Sequence, residues 1–240
     1  MNTQPAYKIF PLGDAALIVD FGNSISDTVN DRVISLFKKL QQQPVRGMTE
    51  AVPAYSSLTI YYDLFSFYYK EKQEKTVFEE MKNKIITFLE QEKEVYQYKK
   101  RTVVIPVCYD KEYAADMEWI TDHLKLTTEE FIRLHTSKSY RVFMLGFLPG
   151  FPYMGEVDDK IMLPRKLKPE NVIAGSVGIA GKQTGIYPFN SPGGWQVIGR
   201  TPLKVFNKAN TEPALVQTGD FVNFFSISKN EFENIKSRNA

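Results

Sequence analysis

The stretch that decides the fold covers residues 140–202 and reads YRVFMLGFLPGFPYMGEVDDKIMLPRKLKPENVIAGSVGIAGKQTGIYPFNSPGGWQVIGRTP. It holds ten of the fourteen glycines and seven of the thirteen prolines of the chain, with aromatic and aliphatic residues between them. Glycine admits backbone conformations that other residues avoid, and proline fixes φ and removes a hydrogen-bond donor. This alternation predicts many defined turns on a packed body, where backbone can approach a ligand or a partner.

The composition of the 240 residues is typical of a globular protein, with 43% hydrophobic and 24% charged residues. A formal net charge of +2 and the lack of a basic stripe predict no nucleic acid partner. The sequence shows neither a signal peptide nor an apolar run long enough to cross a membrane, so we expect no membrane association. A single cysteine, Cys108, excludes an internal disulfide and fits a reducing cytoplasm.

Outward from the glycine-rich stretch, the N-terminal part alternates strand and helix patterns in the order β-β-α-β-β-α-β. Period-two patterns predict strands at residues 7–12, 15–21, 57–62 and 101–107, with a strand or loop at 45–52. Apolar residues at helical spacing predict one helix after Ser26 and a second over residues 72–90. We therefore predict an α+β domain over residues 1–107, with helices on one face of an antiparallel sheet.

The C-terminal part, residues 108–240, begins with two predicted helices, at 119–124 and 127–137. Short strands then recur between glycine and proline turns, and they are predicted at residues 140–146, 177–180, 183–187, 196–200, 203–206 and 221–226. Many short strands with such turns are typical of a closed or nearly closed β-barrel. Residues 229–240 are predicted to form a short helix or a tail.

The residues alone define no reaction. The chain contains no GxxxxGK[ST] phosphate loop, and two histidines with one cysteine predict no metal site. His135 has two interpretations, a partly buried core residue or a general base beside the glycine-rich stretch, and its helical position favours the first. Ser176 lacks the GxSxG context of a nucleophile, which favours turn hydrogen bonding, and Cys108 is interpreted as a buried structural thiol.

Cations and aromatic residues in the stretch suggest a binding face. A guanidinium held on a rigid turn binds carboxylate or phosphate groups well, so the basic residues together favour an anionic small molecule or an acidic partner. These basic residues are Arg141, Arg165, Lys166, Lys182 and Arg200. The aromatic residues beside the turns predict an apolar patch, and they are Phe147, Phe151, Tyr153, Tyr187, Phe189 and Trp195.

Four segments resemble the allophanate hydrolase subunit 1 family, which includes the B subunit of 5-oxoprolinase (PxpB) and KipI, an inhibitor of a sporulation histidine kinase. They are PLGDAALIVDFG (11–22), EEFIRLHTSKSYRV (129–142), GFLPGFPYMG (146–155) and AGSVGIAGKQTGIYPFNSPGGWQVIGRTP (174–202). The resemblance covers nearly the whole chain. It implies a small α+β domain followed by a mostly-β, cyclophilin-like barrel.

The resemblance also implies function. A family member of this kind is the B subunit of an ATP-dependent 5-oxoprolinase, which opens 5-oxoproline to glutamate together with a homologous, cyclophilin-like C subunit and an A subunit. It can also inhibit the autophosphorylation of a sporulation histidine kinase. The alternatives are a non-catalytic binding protein that only inhibits a sensor kinase, with an aromatic patch of Phe147, Phe151 and Trp195 on a helix pair, and an allophanate hydrolase-like amide hydrolase subunit.

For ATP-driven opening of a lactam, the site needs cations near the phosphate and backbone N–H donors. We expect an ATP site shared with the partner subunits. The residues expected to act in catalysis are Arg165, Arg200, His135 and Tyr187. Those expected to bind substrate or a partner are Arg141, Phe147, Pro149, Gly150, Phe151, Tyr153, Ser176, Lys182, Gln183, Gly193, Gly194 and Trp195.

The chain departs from the family pattern at two positions. The second Pro-Arg of the family's PR…PR segment is Pro169-Glu170 here, and Ile173 stands where the family has proline in VPAGSV. Replacing an arginine with a carboxylate reverses one charge where an anion would bind, although Arg165 is retained.

Overall fold

The computed structural model describes residues 7–67, 75–90 and 100–238. The chain divides into two compact units, Met1–Lys99 and Lys100–Ala240. The sequence pattern predicts this boundary after residue 107 instead. The difference concerns one strand, β5 (Thr102–Val107), which belongs to the second unit.

The first unit is an antiparallel four-stranded sheet in the order β1-β2-β4-β3, packed against two helices. Its elements are β1 (Lys8–Pro11), β2 (Ala16–Asp20), α1 (Asp27–Gln42), β3 (Met48–Pro53), β4 (Ser57–Tyr62) and α2 (Val77–Glu90). A short 3₁₀ turn, Leu64–Phe67, follows β4. The order and type of these elements confirm the predicted α+β class.

Local signals explain where the two helices begin. The Ser26 hydroxyl accepts a 3.2 Å hydrogen bond from the Val29 N–H, which caps α1. Thr76 and Glu79 form a reciprocal capping box at the start of α2, with 3.2 Å from the Glu79 N–H to the Thr76 hydroxyl and 2.8 Å from the Thr76 N–H to the Glu79 carboxylate. The predicted start of α2 at residue 72 lies outside the described residues.

Strand and helix periods together build the core of the first unit. Alternate residues of β2 and β4 point to one face of the sheet, and apolar residues of α1 and α2 cover that face. The buried members include Leu17, Val19, Val33, Leu36, Leu40, Leu58, Ile60, Met81 and Ile85. The packing follows directly from the period-two and helical patterns of the sequence.

The second unit is a curled seven-stranded sheet in the order β12-β9-β10-β7-β6-β13-β5. Its strands are β5 (Thr102–Val107), β6 (Ser139–Leu145), β7 (Pro152–Gly155), β9 (Ser176–Ala180), β10 (Gln183–Ile186), β12 (Gln196–Arg200) and β13 (Phe221–Ser226). A two-stranded sheet of β8 (Glu170–Val172) and β11 (Ser191–Gly193) accompanies it. The mostly-β architecture agrees with the predicted barrel.

Strand β5 pairs in parallel with β13, from Thr102 opposite Phe221 to Val107 opposite Ser226. These hydrogen bonds place β5 in the second unit, whereas the sequence pattern predicts it in the first domain. The sequence pattern of a single strand cannot show its partner, because the pairing joins residues more than one hundred positions apart.

The two edge strands of this sheet meet and close the barrel. Directly after β5, Cys108 pairs with Arg200 at the end of β12, and each backbone N–H donates to the other residue's carbonyl at 2.9 Å. A Cβ on Gly199 would lie 2.8 Å from the Val107 side chain and 2.9 Å from the Cys108 carbonyl oxygen. Glycine is therefore required where the edges approach each other. The Cys108 thiol is buried here, as predicted, and burial raises its pKa.

Three helices accompany the barrel, namely α3 (Met117–Leu124), α4 (Thr128–Thr136) and α5 (Lys229–Arg238). Thr127 and Glu130 form a capping box at the start of α4, which agrees with the helix predicted from residue 127. Asp116 precedes α3, but its carboxylate accepts a 2.6 Å hydrogen bond from the Val197 N–H in β12, and its own N–H donates to the Val197 carbonyl at 3.1 Å. Asp116 therefore fastens α3 to the edge of the barrel.

The strand predictions missed three short strands and included one strand that does not form. Strands β7, β8 and β11 were not predicted, because they have three or four residues and carry proline or glycine. The predicted strand at 203–206 is not formed, and only Phe206 makes an isolated bridge, with Ala214. Among the described residues, no helix is both long and apolar enough to cross a membrane.

Candidate functional site

The candidate site is an open pocket of about 660 Å³ on the second unit. It is bounded by the turn after β6, by strand β7, by the loop before β8, and by β10 and β11. Its lining residues are Phe147, Phe151, Tyr153, Pro164, Arg165, Pro169, Ala180, Gly181, Gln183, Tyr187, Pro192, Gly193, Gly194 and Trp195. All of them belong to the glycine- and proline-rich stretch that the sequence singled out.

Aromatic rings form the floor of the pocket around Phe151. The Phe151 ring lies edge-on to three others, with centroid distances of 5.0 Å to Tyr153, 5.1 Å to Tyr187 and 5.3 Å to Trp195. Edge-to-face contacts of this kind are favourable and directional. Because each ring is held by its neighbours, the floor is a preformed apolar surface.

Two glycines leave the space that these rings occupy. A Cβ on Gly193 would lie 2.5 Å from the Tyr187 hydroxyl oxygen, and a Cβ on Gly185 would lie 2.8 Å from the Phe151 ring. Any larger residue would displace an aromatic ring of the floor. These glycines therefore fix the shape of the pocket.

Phe147 stands at the mouth of the pocket in an uncommon backbone conformation. Its φ is 66°, and the Leu148 N–H donates to the Gly146 carbonyl at 2.8 Å across it, which forms a γ-turn. Pro149 and Gly150 then make a type II turn, with Gly150 at φ 82° and a 3.0 Å hydrogen bond from the Phe151 N–H to the Leu148 carbonyl. The two turns hold the Phe147 ring, which is 60% exposed, at 5.6 Å from Phe151.

Arg165 supplies the positive charge of the pocket. Its guanidinium lies beside Gly194, where a Cβ would be 3.5 Å from Nη2. No carboxylate of the described chain is within ion-pair distance of Arg165, whereas the neighbouring Lys166 is bound by Asp116 at 2.8 Å and by Glu170 at 2.6 Å. The charge of Arg165 thus stays available for an anionic ligand.

This arrangement also explains the departure at Glu170. The Glu170 carboxylate binds Lys166, four positions earlier in the sequence, and it is 65% exposed. The additional carboxylate therefore forms an ion pair with Lys166, which also binds Asp116. Glu170 forms no ion pair with Arg165, so this carboxylate does not neutralise the positive charge of Arg165 at the anion site.

The two tyrosines of the pocket have raised pKa values. Burial raises the pKa of Tyr187, and the Trp195 backbone amide and the Arg165 charge oppose that shift. Burial also raises the pKa of Tyr153, again opposed by Arg165. Both phenols are therefore protonated at neutral pH and can act as hydrogen-bond donors.

His135, expected among the catalytic residues, lies inside the barrel and is fully buried. Its Nδ1 is 2.8 Å from the Tyr109 hydroxyl, and its Nε2 is 3.1 Å from the Thr184 hydroxyl. Because the Thr184 hydroxyl donates to the Gly178 carbonyl, Nε2 carries the proton and Nδ1 accepts from Tyr109. Burial lowers the pKa of His135 to about 3. The structure thus supports the core interpretation, and His135 does not line the pocket.

Two further expected residues are buried outside the pocket. Arg141 lies on β6 between the core residues Tyr140 and Val142, with its guanidinium 5.8 Å from the centre of the Phe221 ring. Ser176 is buried at the start of β9, and its backbone carbonyl accepts from the Tyr187 N–H at 2.9 Å. Both support the barrel and do not form the pocket surface.

The remaining expected residues lie at or beyond the rim. Lys182 forms a 2.7 Å ion pair with Asp159. Arg200 lines a second, separate cavity, and its Nε donates to the Ala174 carbonyl at 2.8 Å. Pro149 and Gly150 shape the turn behind Phe147 and are not part of the lining. The structure therefore removes Arg200 and Lys182 from the main pocket.

Most of the pocket lining was predictable from the sequence, but prolines and two small residues of the lining were not predicted. Of the sixteen expected positions, those in the lining are Phe147, Phe151, Tyr153, Arg165, Gln183, Tyr187, Gly193, Gly194 and Trp195. The missed lining residues are Pro164, Pro169, Ala180, Gly181 and Pro192. Pro164, Gly181 and Pro192 directly adjoin Arg165, Lys182 and Gly193 in the sequence, and this adjacency was the available signal. Within the described residues, no His, Cys, Asp or Glu cluster is suited to a metal ion.

Comparison with known proteins defines the family. The model of the carboxyltransferase domain, subdomain C and D, matches residues 7–216, and the chain belongs to that family. Within it, the chain is 41% identical to the 5-oxoprolinase B subunit of Bacillus subtilis (strain 168), over 96% of this chain and 97% of that protein. It is 34% identical to the 5-oxoprolinase B subunit of Haemophilus influenzae, over 90% of this chain and 96% of that protein. The resemblance inferred from the sequence is thereby confirmed.

Solved structures agree with this assignment. TTHA0988 superimposes with a TM-score of 0.76 at 34% identity, covering 89% of this chain and 40% of that chain. The uncharacterized protein PH0987 from Pyrococcus horikoshii gives a TM-score of 0.54 at 41% identity, covering 94% of this chain and 100% of its own. Urea amidolyase of K. lactis, 18% identical with a TM-score of 0.71 over 97% of this chain and 15% of its own, shares the fold.

Proposed function

We propose that this chain is the B subunit of an ATP-dependent 5-oxoprolinase, which acts with an A and a C subunit to convert 5-oxoproline to glutamate. The observation that carries the proposal is the rigid aromatic pocket with Arg165, which no described carboxylate neutralises, in a chain similar along its length to the B subunits of 5-oxoprolinases. An ATP-dependent role of this kind fits a cytoplasmic location.

The chemistry of 5-oxoproline matches the pocket. The substrate is a five-membered lactam with one carboxylate, so it offers a small apolar ring and one anionic group. Arg165 suits the carboxylate, because a guanidinium can donate two parallel hydrogen bonds to it. Phe151, Tyr153 and Trp195 offer the apolar surface for the ring, and the protonated Tyr187 phenol lies at the pocket wall. We therefore assign substrate binding to this pocket.

ATP is needed because an unstrained lactam carbonyl is a poor electrophile. Transfer of the γ-phosphoryl group to the lactam oxygen forms an O–P bond and releases ADP. Water then adds to the activated carbon, the C–N bond breaks, and a second water releases phosphate from the acyl phosphate. The charge that develops during this sequence needs fixed cations and N–H donors. Among the described residues, Arg165 is the one cation in the lining of the main pocket, and it is assigned to the substrate carboxylate, so we propose that partner subunits contribute the cations of the ATP site.

The test replaces Arg165 with alanine in a complex reconstituted from this chain and its two partner subunits. We expect kcat/KM for 5-oxoproline- and ATP-dependent glutamate formation to fall about 100-fold, because a charge-assisted bidentate contact contributes about 3 kcal/mol. Lys168→Ala is the matched control, since Lys168 is an exposed cation of the same loop outside the lining. Full activity of Arg165→Ala in an assembled complex would exclude the proposed carboxylate contact.

The alternative of a pure kinase inhibitor required a flat aromatic patch of Phe147, Phe151 and Trp195. Phe151 is 1% exposed and Trp195 is 7% exposed, so these rings line a concave pocket, and Phe147 alone of the three projects from it. A concave site fits a small molecule better than a pair of helices. Inhibition of a sporulation histidine kinase stays a prediction, as does an allophanate hydrolase-like activity. Formation of glutamate from 5-oxoproline and ATP by the reconstituted complex distinguishes a 5-oxoprolinase from a pure kinase inhibitor and from an allophanate hydrolase-like enzyme.

A further inference from the structure

A second cavity, of about 350 Å³, lies elsewhere on the barrel unit and shares no lining residue with the main pocket within the described chain. Its wall is formed by the turn before β9, the segment after Tyr187, the segment after β12 and helix α5. Its charged lining residues are Arg200, Lys204 and Lys236, and no carboxylate is part of the lining found in the described chain. Three cations around one small cavity raise the local concentration of anions.

Arg200 is held rigidly at the floor of this cavity. Its backbone pairs with Cys108 where the barrel closes, and its Nε donates to the Ala174 carbonyl at 2.8 Å. Gly175 lies beside it at φ 87°, where a Cβ would be 2.6 Å from the Thr201 carbonyl oxygen and 3.5 Å from the Arg200 Cγ. A rigid guanidinium loses little conformational entropy when it binds an anion.

The Glu233 carboxylate lies close to the cavity, and its pKa is lowered first by the hydrogen bond from Tyr113 and then by the charges of Lys236, Lys229 and Arg200. The Tyr113 hydroxyl donates to its Oε1 at 2.6 Å, while its Oε2 is 3.8 Å from the Lys236 Nζ. An exposed pair at this distance contributes little free energy. The amino group of Lys236 can therefore exchange this contact for a multiply charged ligand.

The other side of the cavity is apolar. The rings of Phe189 and Phe206 meet at 60° with a centroid distance of 5.6 Å, and Pro188 and Pro202 extend this wall. Phe206 also touches the turn behind the main pocket, because a Cβ on Gly150 would lie 2.9 Å from its ring. The cavity thus combines a cationic side with an aromatic wall of fixed orientation.

We infer that this second cavity binds a phosphorylated small molecule that carries a flat ring, such as a nucleotide. Its phosphate groups contact Arg200, Lys204 and Lys236, and its ring packs against Phe189 and Phe206. Cations bind phosphate oxygens through charge-assisted hydrogen bonds, and aromatic side chains stack on heterocycles. The inference does not depend on the proposed enzyme role, because ligand binding is measured on this chain without partner subunits.

The experiment is calorimetric titration of the full chain with ADP. The double variant Lys204→Gln/Lys236→Gln is expected to weaken ADP binding about tenfold or more, because it removes two charged contacts. Lys208→Gln is the matched control, since Lys208 is exposed in the same segment and outside the lining. Arg165→Ala, which alters only the main pocket, is expected to leave the dissociation constant of ADP unchanged.

Two further ligands and two further variants separate the contribution of the charged residues from that of the aromatic residues. Pyrophosphate is expected to bind more weakly than ADP, and adenosine about tenfold more weakly still. Phe189→Ala is expected to weaken ADP binding and leave pyrophosphate binding unchanged. Arg200→Gln is expected to weaken both, and the lysine variants provide the test if this replacement prevents folding. Equal ADP affinity in the lysine double variant and the wild type, ADP binding abolished only by Arg165→Ala, or no ADP binding at millimolar concentration would overturn the inference.

Discussion

His135 in the barrel interior and Arg165 in the main pocket both combine a chargeable side chain with aromatic neighbours. The His135 ring stacks on Phe224 at 4.8 Å and on Tyr140 at 5.4 Å, and it is fully buried. Arg165 is exposed beside the aromatic floor, and no carboxylate of the described chain pairs with it. The two regions contain similar types of residue, but they differ in how far solvent and ligands can reach the chargeable side chain.

The difference shows what makes a chargeable group chemically useful. Complete enclosure lowers the pKa of His135, and both ring nitrogens have partners, so the side chain stabilises the core in its neutral form. Arg165 is exposed next to rigid rings, so its guanidinium can exchange water for a ligand. Four changes test this contrast, from the largest expected effect to the smallest.

Replacing His135 with alanine should cause the largest loss of stability. The change leaves a cavity in the core and removes the hydrogen-bond partners of Tyr109 and Thr184, so we expect a loss of about 3–5 kcal/mol in the free energy of unfolding. Urea denaturation followed by tryptophan fluorescence measures it. His123→Ala, at an exposed position on α3, is the control and should cost below about 1 kcal/mol. Similar losses in the two variants would contradict a core role for His135.

The pH dependence of stability should show the neutral state of His135. Its pKa is about 3 in the folded protein and near 6.5 in the unfolded chain. Between these values the unfolded chain binds one more proton, so the contribution is complete above pH 6.5 and falls by about 1.4 kcal/mol per pH unit below it. The difference between wild type and His135→Gln, measured at pH 7 and pH 5, isolates this effect. An unchanged difference would mean that His135 binds a proton as readily in the folded protein as in the unfolded chain.

A change at Gly193 should damage the pocket and spare the core. A Cβ there would lie 2.5 Å from the Tyr187 hydroxyl oxygen, so Gly193→Ala must displace the phenol or strand β11. We expect a loss of about 1–3 kcal/mol in stability. Gly194→Ala is the neighbouring control, because its Cβ would meet the Arg165 Nη2 at an ordinary 3.5 Å. Thermal unfolding of both variants measures the contrast, and equal melting temperatures would rule out a tight fit at Gly193.

The smallest effect is expected at Glu170. Its carboxylate is largely exposed and Lys166 keeps Asp116 as a partner, so Glu170→Gln should change stability by about 0.5 kcal/mol or less. Activity of the reconstituted complex should stay within about twofold of wild type, because Arg165 is not paired with Glu170. A marked rise in activity would show that Glu170 reduces the positive charge available to the substrate.

Much of this architecture was readable from the sequence because it depends on local periodicity. The predicted residues 57–62, 196–200 and 221–226 coincide with β4, β12 and β13, where alternating patterns or flanking turns set the limits. The capping residues Ser26 and Thr127 marked helix starts correctly. Glycines and prolines of the stretch indicated the pocket because its walls are turns.

What the sequence could not provide was long-range pairing and the direction of individual side chains. The partner of β5 is a strand more than one hundred residues away, and nothing local encodes that choice. Arg165, Arg200 and Arg141 have similar surroundings in the sequence, yet one lines the main pocket, one lines the second cavity and one is buried. The curvature of the barrel places these three side chains at different surfaces, and that curvature cannot be read from the local sequence.

At two positions on the outer edge of β12, the backbone N–H and carbonyl groups are already hydrogen-bonded. Asp116 engages both the N–H and the carbonyl of Val197, and Cys108 engages both backbone groups of Arg200. An unprotected strand edge recruits other chains by strand addition, which leads to unwanted association. Val197 and Arg200 therefore offer no backbone group for strand addition, which discourages edge-to-edge aggregation at β12.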